Sequence, residues 1–242
     1  TVRLLTEDEA AAQLGLSPPA AVQMVAFESS NTVTNAGRAP WQPQSGLVSV
    51  WILGMFKPSP QTTVVVPFTP GAEAAMGPIV NAAYFGPVPP ERLAVGDRAV
   101  FFSGDGRYRG KIGFSPARAR PVLGSYDARD SVLTLVQFDR PADARDYVNS
   151  MWEVQKEPFA GDVVNSYNDG PPAPGAKPLG PFYELETSSP AAALPAGGSL
   201  VHRHRTVHLV GDRMALDAIA RQALGVGLDA ITSALPAATA PK

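Results

Sequence analysis

The chain has 242 residues, 45% hydrophobic and 17% charged, enough apolar material for one large β domain or two small ones. Its formal net charge is −2, with 20 basic and 22 acidic residues scattered along it, so nothing in the charge pattern favours nucleic acid or an anionic membrane as partner. The absence of cysteine excludes disulfides and thiolate metal sites, and no apolar run reaches the roughly 18 residues of a spanning helix.

Thr1-Val2-Arg3-Leu4-Leu5 reads as the middle of a strand, which leads us to expect a chain that lacks an N-terminal portion. Thr6 and Glu9 have the spacing of a capping box, predicting a short helix over Thr6–Leu14 that stops at Gly15. From Val22 the pattern turns to strands. VQMVAFESSNTVTNAG alternates and ends on a turn signal, LVSVWILGMF is apolar enough for a buried strand with Trp51 in the core, and TTVVVPF is another strand. Pro58, Pro60, Pro67 and Pro70 argue against helices here. Strand-like runs then recur about every ten residues, at Ala99–Phe102, Tyr108–Phe114, Ser131–Phe138, Tyr147–Val154 and Val163–Tyr167, with Gly104-Asp105-Gly106 as a hairpin turn. The C-terminus is helical from Asp212, an N-cap, to Leu235, with a break at Gly225 and a frayed tail over Ala237–Lys242. These elements predict an all-β antiparallel sandwich or barrel, a single domain over residues 1–242 whose residues 212–242 form a helical tail.

Candidate chemistry concentrates between Pro178 and Asp212, which reads as two neighbouring strands joined by the turn Pro195-Ala196-Gly197-Gly198. Glu184 and Glu186 share one face of the first strand. His202, His204 and His208, all the histidines of the chain, share one face of the second. Carboxylates and imidazoles are the usual proton-transfer groups near neutral pH. Whether the two sets meet depends on the pairing parity, which a bulge at Ser188-Ser189-Pro190 would switch. A His-x-His pair also suits a metal if a third ligand such as Glu186 is near, and a purely structural role for the imidazoles stays open. Arg203 and Arg205 fall on the opposite face. A further cluster, Asp162 to Pro171, brings together Asn165, Tyr167, Asn168 and Asp169, the amide, phenol and carboxylate groups that hold a polyol, or alternatively a loop rich in Asx turns. Trp152 is a candidate platform for a sugar ring.

The segment GPFYELETSSPAAALPAGGSLVHRHRTVHL resembles the C-terminal signature of the galactose mutarotase-like (aldose 1-epimerase-like) superfamily, with Leu185-Glu186-Thr187-Ser188, Pro190 and Pro195-Ala196-Gly197-Gly198 in the family's order. It is closer to an uncharacterised bacterial branch, through VAFESSNTVTN, WILGMF, GSYD, DYVNSMWE, GDVVNSYNDGP, FYELETSSPA and HRHRT. The resemblance implies a β-supersandwich, a carbohydrate ligand, no cofactor, and Glu186 as the base that takes the anomeric hydroxyl proton. The epimerases place their acid histidine well before this glutamate, whereas here no histidine precedes His202, and Ser188 stands where the family has glutamine. The expected enzyme is thus an isomerase with Glu186 as base, His204 or His202 as acid, Glu184 beside them, and Asn165, Tyr167, Asn168, Asp169 and Trp152 as sugar contacts. A non-catalytic glycan-binding protein and a cupin-like metal site at His202, His204 and Glu186 are the alternatives.

Overall fold

The structure is a computed structural model and describes residues 1–15 and 21–236. Along the chain run β1 (Val2–Leu5), α1 (Glu7–Leu14), β2 (Val22–Thr34), β3 (Trp51–Phe56), β4 (Thr62–Pro67), α2 (Glu73–Met76), β5 (Leu93–Val95), β6 (Ala99–Ser103), β7 (Gly110–Phe114), β8 (Val122–Asp127), β9 (Val132–Phe138), β10 (Val164–Asn168), β11 (Tyr183–Ser188), β12 (Ser199–Gly211), α3 (Arg213–Leu224) and α4 (Leu228–Ser233). The strands form an eight-stranded sheet, β1-β2-β12-β9-β8-β4-β6-β5, and a four-stranded sheet, β3-β11-β10-β7, with antiparallel pairing throughout. The antiparallel all-β architecture with short helices near its ends is as the sequence predicts.

Side-chain alternation explains the layering. On one face of the large sheet, Val65, Phe101, Leu133, Leu135, Val207 and Leu209 pack against Leu14, Leu216, Ile219, Leu224 and Ile231 of the helices. On the other, Val64, Val66, Phe102, Leu123 and Val136 pack against Ile112, Phe114, Val164 and Leu185 of the small sheet. The helices start and stop where the local chemistry says they should. Thr6 and Glu9 form the reciprocal capping box on α1, Asp212 accepts from Met214 and Ala215 N–H at the start of α3, and Gly15 and Gly225 close their helices in the left-handed conformation. The tail read over Ala237–Lys242 lies outside the described residues.

Four expectations fail. The segment from Pro178 to Asp212 is not a hairpin, because β11 belongs to the small sheet and β12 to the large one. The link through Pro190 and Pro195 carries the chain between layers. Gly104-Asp105-Gly106 does the same, leading from β6 in one sheet to β7 in the other. Tyr147–Val154 forms no strand; only Tyr147 makes an isolated bridge, to Ala160. And β3 is an edge strand, not a buried one, with Leu53 and Met55 exposed. Arg203 and Arg205, on the opposite face of β12 from the histidines, join an ion-pair chain: Arg205 meets Glu28 at 2.7 Å and Asp139 at 2.8 Å, and Arg203 meets Asp139 at 3.1 Å.

Candidate functional site

β11 decides how the candidate residues are shared out. Tyr183, Leu185 and Thr187 point inward to the large sheet, and Glu184 and Glu186 point to the outer face of the small one. His202 and His204 point inward as well. His202 Nε2 and His204 Nδ1 each lie 2.9 Å from the single hydroxyl Oγ1 of Thr187. His208 Nδ1 lies 3.0 Å from Thr134 Oγ1. Burial pushes the imidazoles of His202 and His204 down to about 4 and that of His208 down as well, so all three stay neutral near pH 7. They are the polar part of the core between the sheets. His202 and His204 are therefore separated from Glu186 by the β11 backbone: neither is placed to serve as its acid partner, and the expected metal trio does not converge. Among the described residues no cluster of three His, Asp or Glu side chains is arranged to hold a metal ion.

The outer face of the small sheet gathers the acids instead. Glu186 is fully buried, and its Oε2 accepts from Lys111 Nζ at 2.8 Å and from the Trp51 indole N–H at 2.8 Å. The Lys111 ammonium sits over two rings, 4.5 Å from the Trp51 centroid and 5.1 Å from that of Tyr84. Trp51, expected in the core, stands half-buried on this outer face. Glu186 Oε1 is buried and has no hydrogen-bond partner among the described residues. The carboxyl of Glu184 lies two residues along the same face; burial first, and the Glu186 charge second, push it up to about 8. Glu184 thus keeps its proton at neutral pH, giving one neutral acid next to one carboxylate.

A third buried acid, Asp162, lies beside this pair. Asp162 accepts from Tyr84 OH at 2.6 Å and Asn81 Nδ2 at 3.0 Å, and Asn165 donates to Tyr84 OH at 2.9 Å. Burial raises the Asp162 carboxyl above the ordinary range. This packing needs Gly113: a Cβ there would overlap Asp162 Oδ2 and Asn165 Nδ2. Tyr167, paired across the strands with Glu184, donates to Asp169 at 2.8 Å and packs at 5.8 Å from Phe85, whose ring also meets Trp152 at 6.1 Å. Trp152 is 79% exposed.

Of the expected sugar contacts, Asn165, Tyr167 and Trp152 lie on the acidic side of the sheet, with only Trp152 open to solvent. Asn168 does not: it is buried and bonded to Asp105 Oδ1 at 3.1 Å, Tyr108 O at 2.8 Å and Gly106 N at 2.8 Å, so it fixes a turn. Asp169, also buried, is used up by Tyr167 and the Gly180 N–H. Sequence reasoning missed Lys111, Tyr84 and Asn81. Lys111 carried a signal, a lone cation inside the apolar strand Gly-Lys-Ile-Gly-Phe. Two cavities, of about 690 Å³ and about 500 Å³, open away from the acid pair; the smaller touches His202 at its wall.

A model of a family of unknown function (DUF6786) matches residues 1–235. The chain belongs to that family. No curated protein matches this family member. Among solved structures it is similar to a crystal structure of an Escherichia coli K12 protein provisionally assigned as an aldose 1-epimerase, at 12% identity and a TM-score of 0.38, over 80% of this chain and 57% of that one. The chain thus spans little more than half the length of that protein. Among the described residues no helix is long and apolar enough to cross a membrane.

Proposed function

We propose that this chain, as one domain of galactose mutarotase-like fold, binds a carbohydrate on the outer face of its small sheet and interconverts the anomers of an aldose there. The observation that carries this reading is the buried pair on β11: Glu184 and Glu186 on one face of the strand, with Lys111 and Trp51 holding Glu186 in place and burial pushing the Glu184 carboxyl up to about 8. Anomer interconversion needs one group to take a proton and another to give one, at neighbouring oxygens. Glu186 takes the proton of the anomeric hydroxyl. Glu184 gives its proton to the ring oxygen, the bond from the anomeric carbon to that oxygen breaks, and the open-chain aldehyde forms. Rotation of the aldehyde and reversal of both transfers closes the ring with the other configuration and restores both carboxyls. The likeness of Leu185-Glu186-Thr187 to the epimerase signature supports Glu186 as the base, and geometry supports Glu184 in the acid role that the histidines are too far removed to fill. Trp152, exposed against Phe85 and Tyr167, supplies a platform on which a sugar ring stacks.

Optical rotation of freshly dissolved α-galactose and α-glucose tests the proposal. The account expects decay faster than buffer alone, lost on Glu186→Gln and on Glu184→Gln. Decay at the buffer rate across a panel of aldoses overturns the catalytic reading. Binding that persists in Glu186→Gln without any such decay favours a non-catalytic glycan-binding protein, in keeping with the depth at which Glu186 lies.

A further inference from the structure

The turn that leads from β6 to β7 builds a second polar region, remote from Glu184 and Glu186. There the larger cavity, about 690 Å³, opens between β4, β6 and the end of α4, with Gln61, Thr63, Arg92, Ser103 and Arg107 among its lining. That volume is in the range that holds a small molecule. Its fixed point is Asp105, whose side chain is 2% exposed. Asp105 accepts from the Arg107 backbone N–H at 3.0 Å and from Asn168 Nδ2 at 3.1 Å. Both its oxygens accept from Arg92 Nη1, at 3.0 and 3.1 Å. The Arg92 guanidinium also lies 5.0 Å above the Tyr108 ring, so a charge pair and an aromatic face together set its position.

Every hydrogen bond that the Arg92 side chain makes to the described residues uses Nη1, the third going to Ser103 Oγ at 3.4 Å. Among the described residues the Nε–H and Nη2 edge of the fork has no acceptor, and that edge can grip an oxyanion through two parallel hydrogen bonds. Arg107, exposed on the same cavity, has no side-chain acceptor among the described residues. The lining acids are Asp105, paired with Arg92, and Glu91, so two arginines face two carboxylates and the aimed edge of Arg92, not net charge, makes the site. We propose that this cavity is an oxyanion site, which takes the carboxylate or phosphate group of a small hydroxylated molecule. Arg92 grips the anion through that edge, Arg107 adds donors from the exposed side, and Gln61, Thr63 and Ser103 hydrogen-bond the hydroxyl groups.

Calorimetric titration of the whole chain with inorganic phosphate and, separately, with glucuronate at constant ionic strength tests the site. Saturable binding of at least one anion is expected, with phosphate alone pointing to a phosphoryl group and glucuronate alone to a carboxylate. Arg92→Gln and Arg107→Gln should each weaken it by about tenfold or more. Arg107 makes no side-chain bond that the fold needs, so its variant stays informative even if Arg92→Gln disturbs Asp105. Glucose should not compete with the anion, and any glucose binding at β11 should survive both substitutions, so this site and the acid pair stand or fall separately. No saturable heat with either anion, or an affinity unchanged in both variants, overturns the proposal.

Discussion

The two faces of β11 carry side chains of similar polarity to different ends. Inward, Thr187 offers one hydroxyl to two imidazoles, all three buried between the sheets, and burial keeps the histidines uncharged. Outward, Glu186 bonds to a cation and an indole, the cation lies over a phenol ring, and burial pushes the neighbouring Glu184 carboxyl up to about 8. A neutral hydrogen-bonded core polar group chiefly specifies packing. A pair of like acids whose proton affinities have been driven apart is the arrangement that moves protons in acid–base chemistry. One residue of displacement along a strand separates these roles.

Breaking the outward pair should cost most. Lys111→Met leaves the Glu186 carboxylate buried without its cation, and a loss of about 3–5 kcal/mol is expected from chemical denaturation. Adding Glu186→Gln to that variant should recover much of the loss. Breaking the inward set should cost less: Thr187→Val keeps the volume but removes the hydroxyl that His202 and His204 share, for a loss of about 2 kcal/mol with no change in sugar binding.

The smallest effect is the most diagnostic, since the two faces pull stability in opposite directions as pH changes. His202 and His204 have folded values lowered to about 4, so from there to their ordinary 6.5 the unfolded chain binds more protons and stability rises with pH. Glu184 has a folded value raised from 4.5 to about 8, so across that window the folded chain binds more protons and stability falls as pH rises. Thermal melts should therefore show a decline between pH 6.5 and 8, where only the second effect operates. Glu184→Gln should flatten that decline and steepen the acid-side rise, which Glu184 otherwise opposes above pH 4.5.

Much of this architecture was legible in local pattern. The capping box on α1, the Asp212 cap on α3 and the run TTVVVP all say what they become, because caps and buried strands depend on near neighbours. The shared face of Glu184 and Glu186, and that of the three histidines, follow from strand periodicity alone. What the pattern could not convey was which sheet each strand joins. Pro195-Ala196-Gly197-Gly198 has the chemistry of a tight turn whether the chain returns beside itself or crosses to another layer, and pairing with β2, β3, β9 and β10 is set by contacts distant in sequence. For the same reason Lys111 and Tyr84, 75 and 102 positions before Glu186, could not be tied to it beforehand. Asn168 and Asp169 look alike as ligand groups and as turn-makers, and only their filled hydrogen bonds tell the two apart.

Whether Glu184 holds a proton at neutral pH is open to direct observation by carbon-13 NMR of glutamate carboxyls across a pH series. The account predicts a step near pH 8 from Glu184, absent in Glu184→Gln. Two carboxyls already fully ionised by pH 6 would contradict it, because neither would then hold a proton to give.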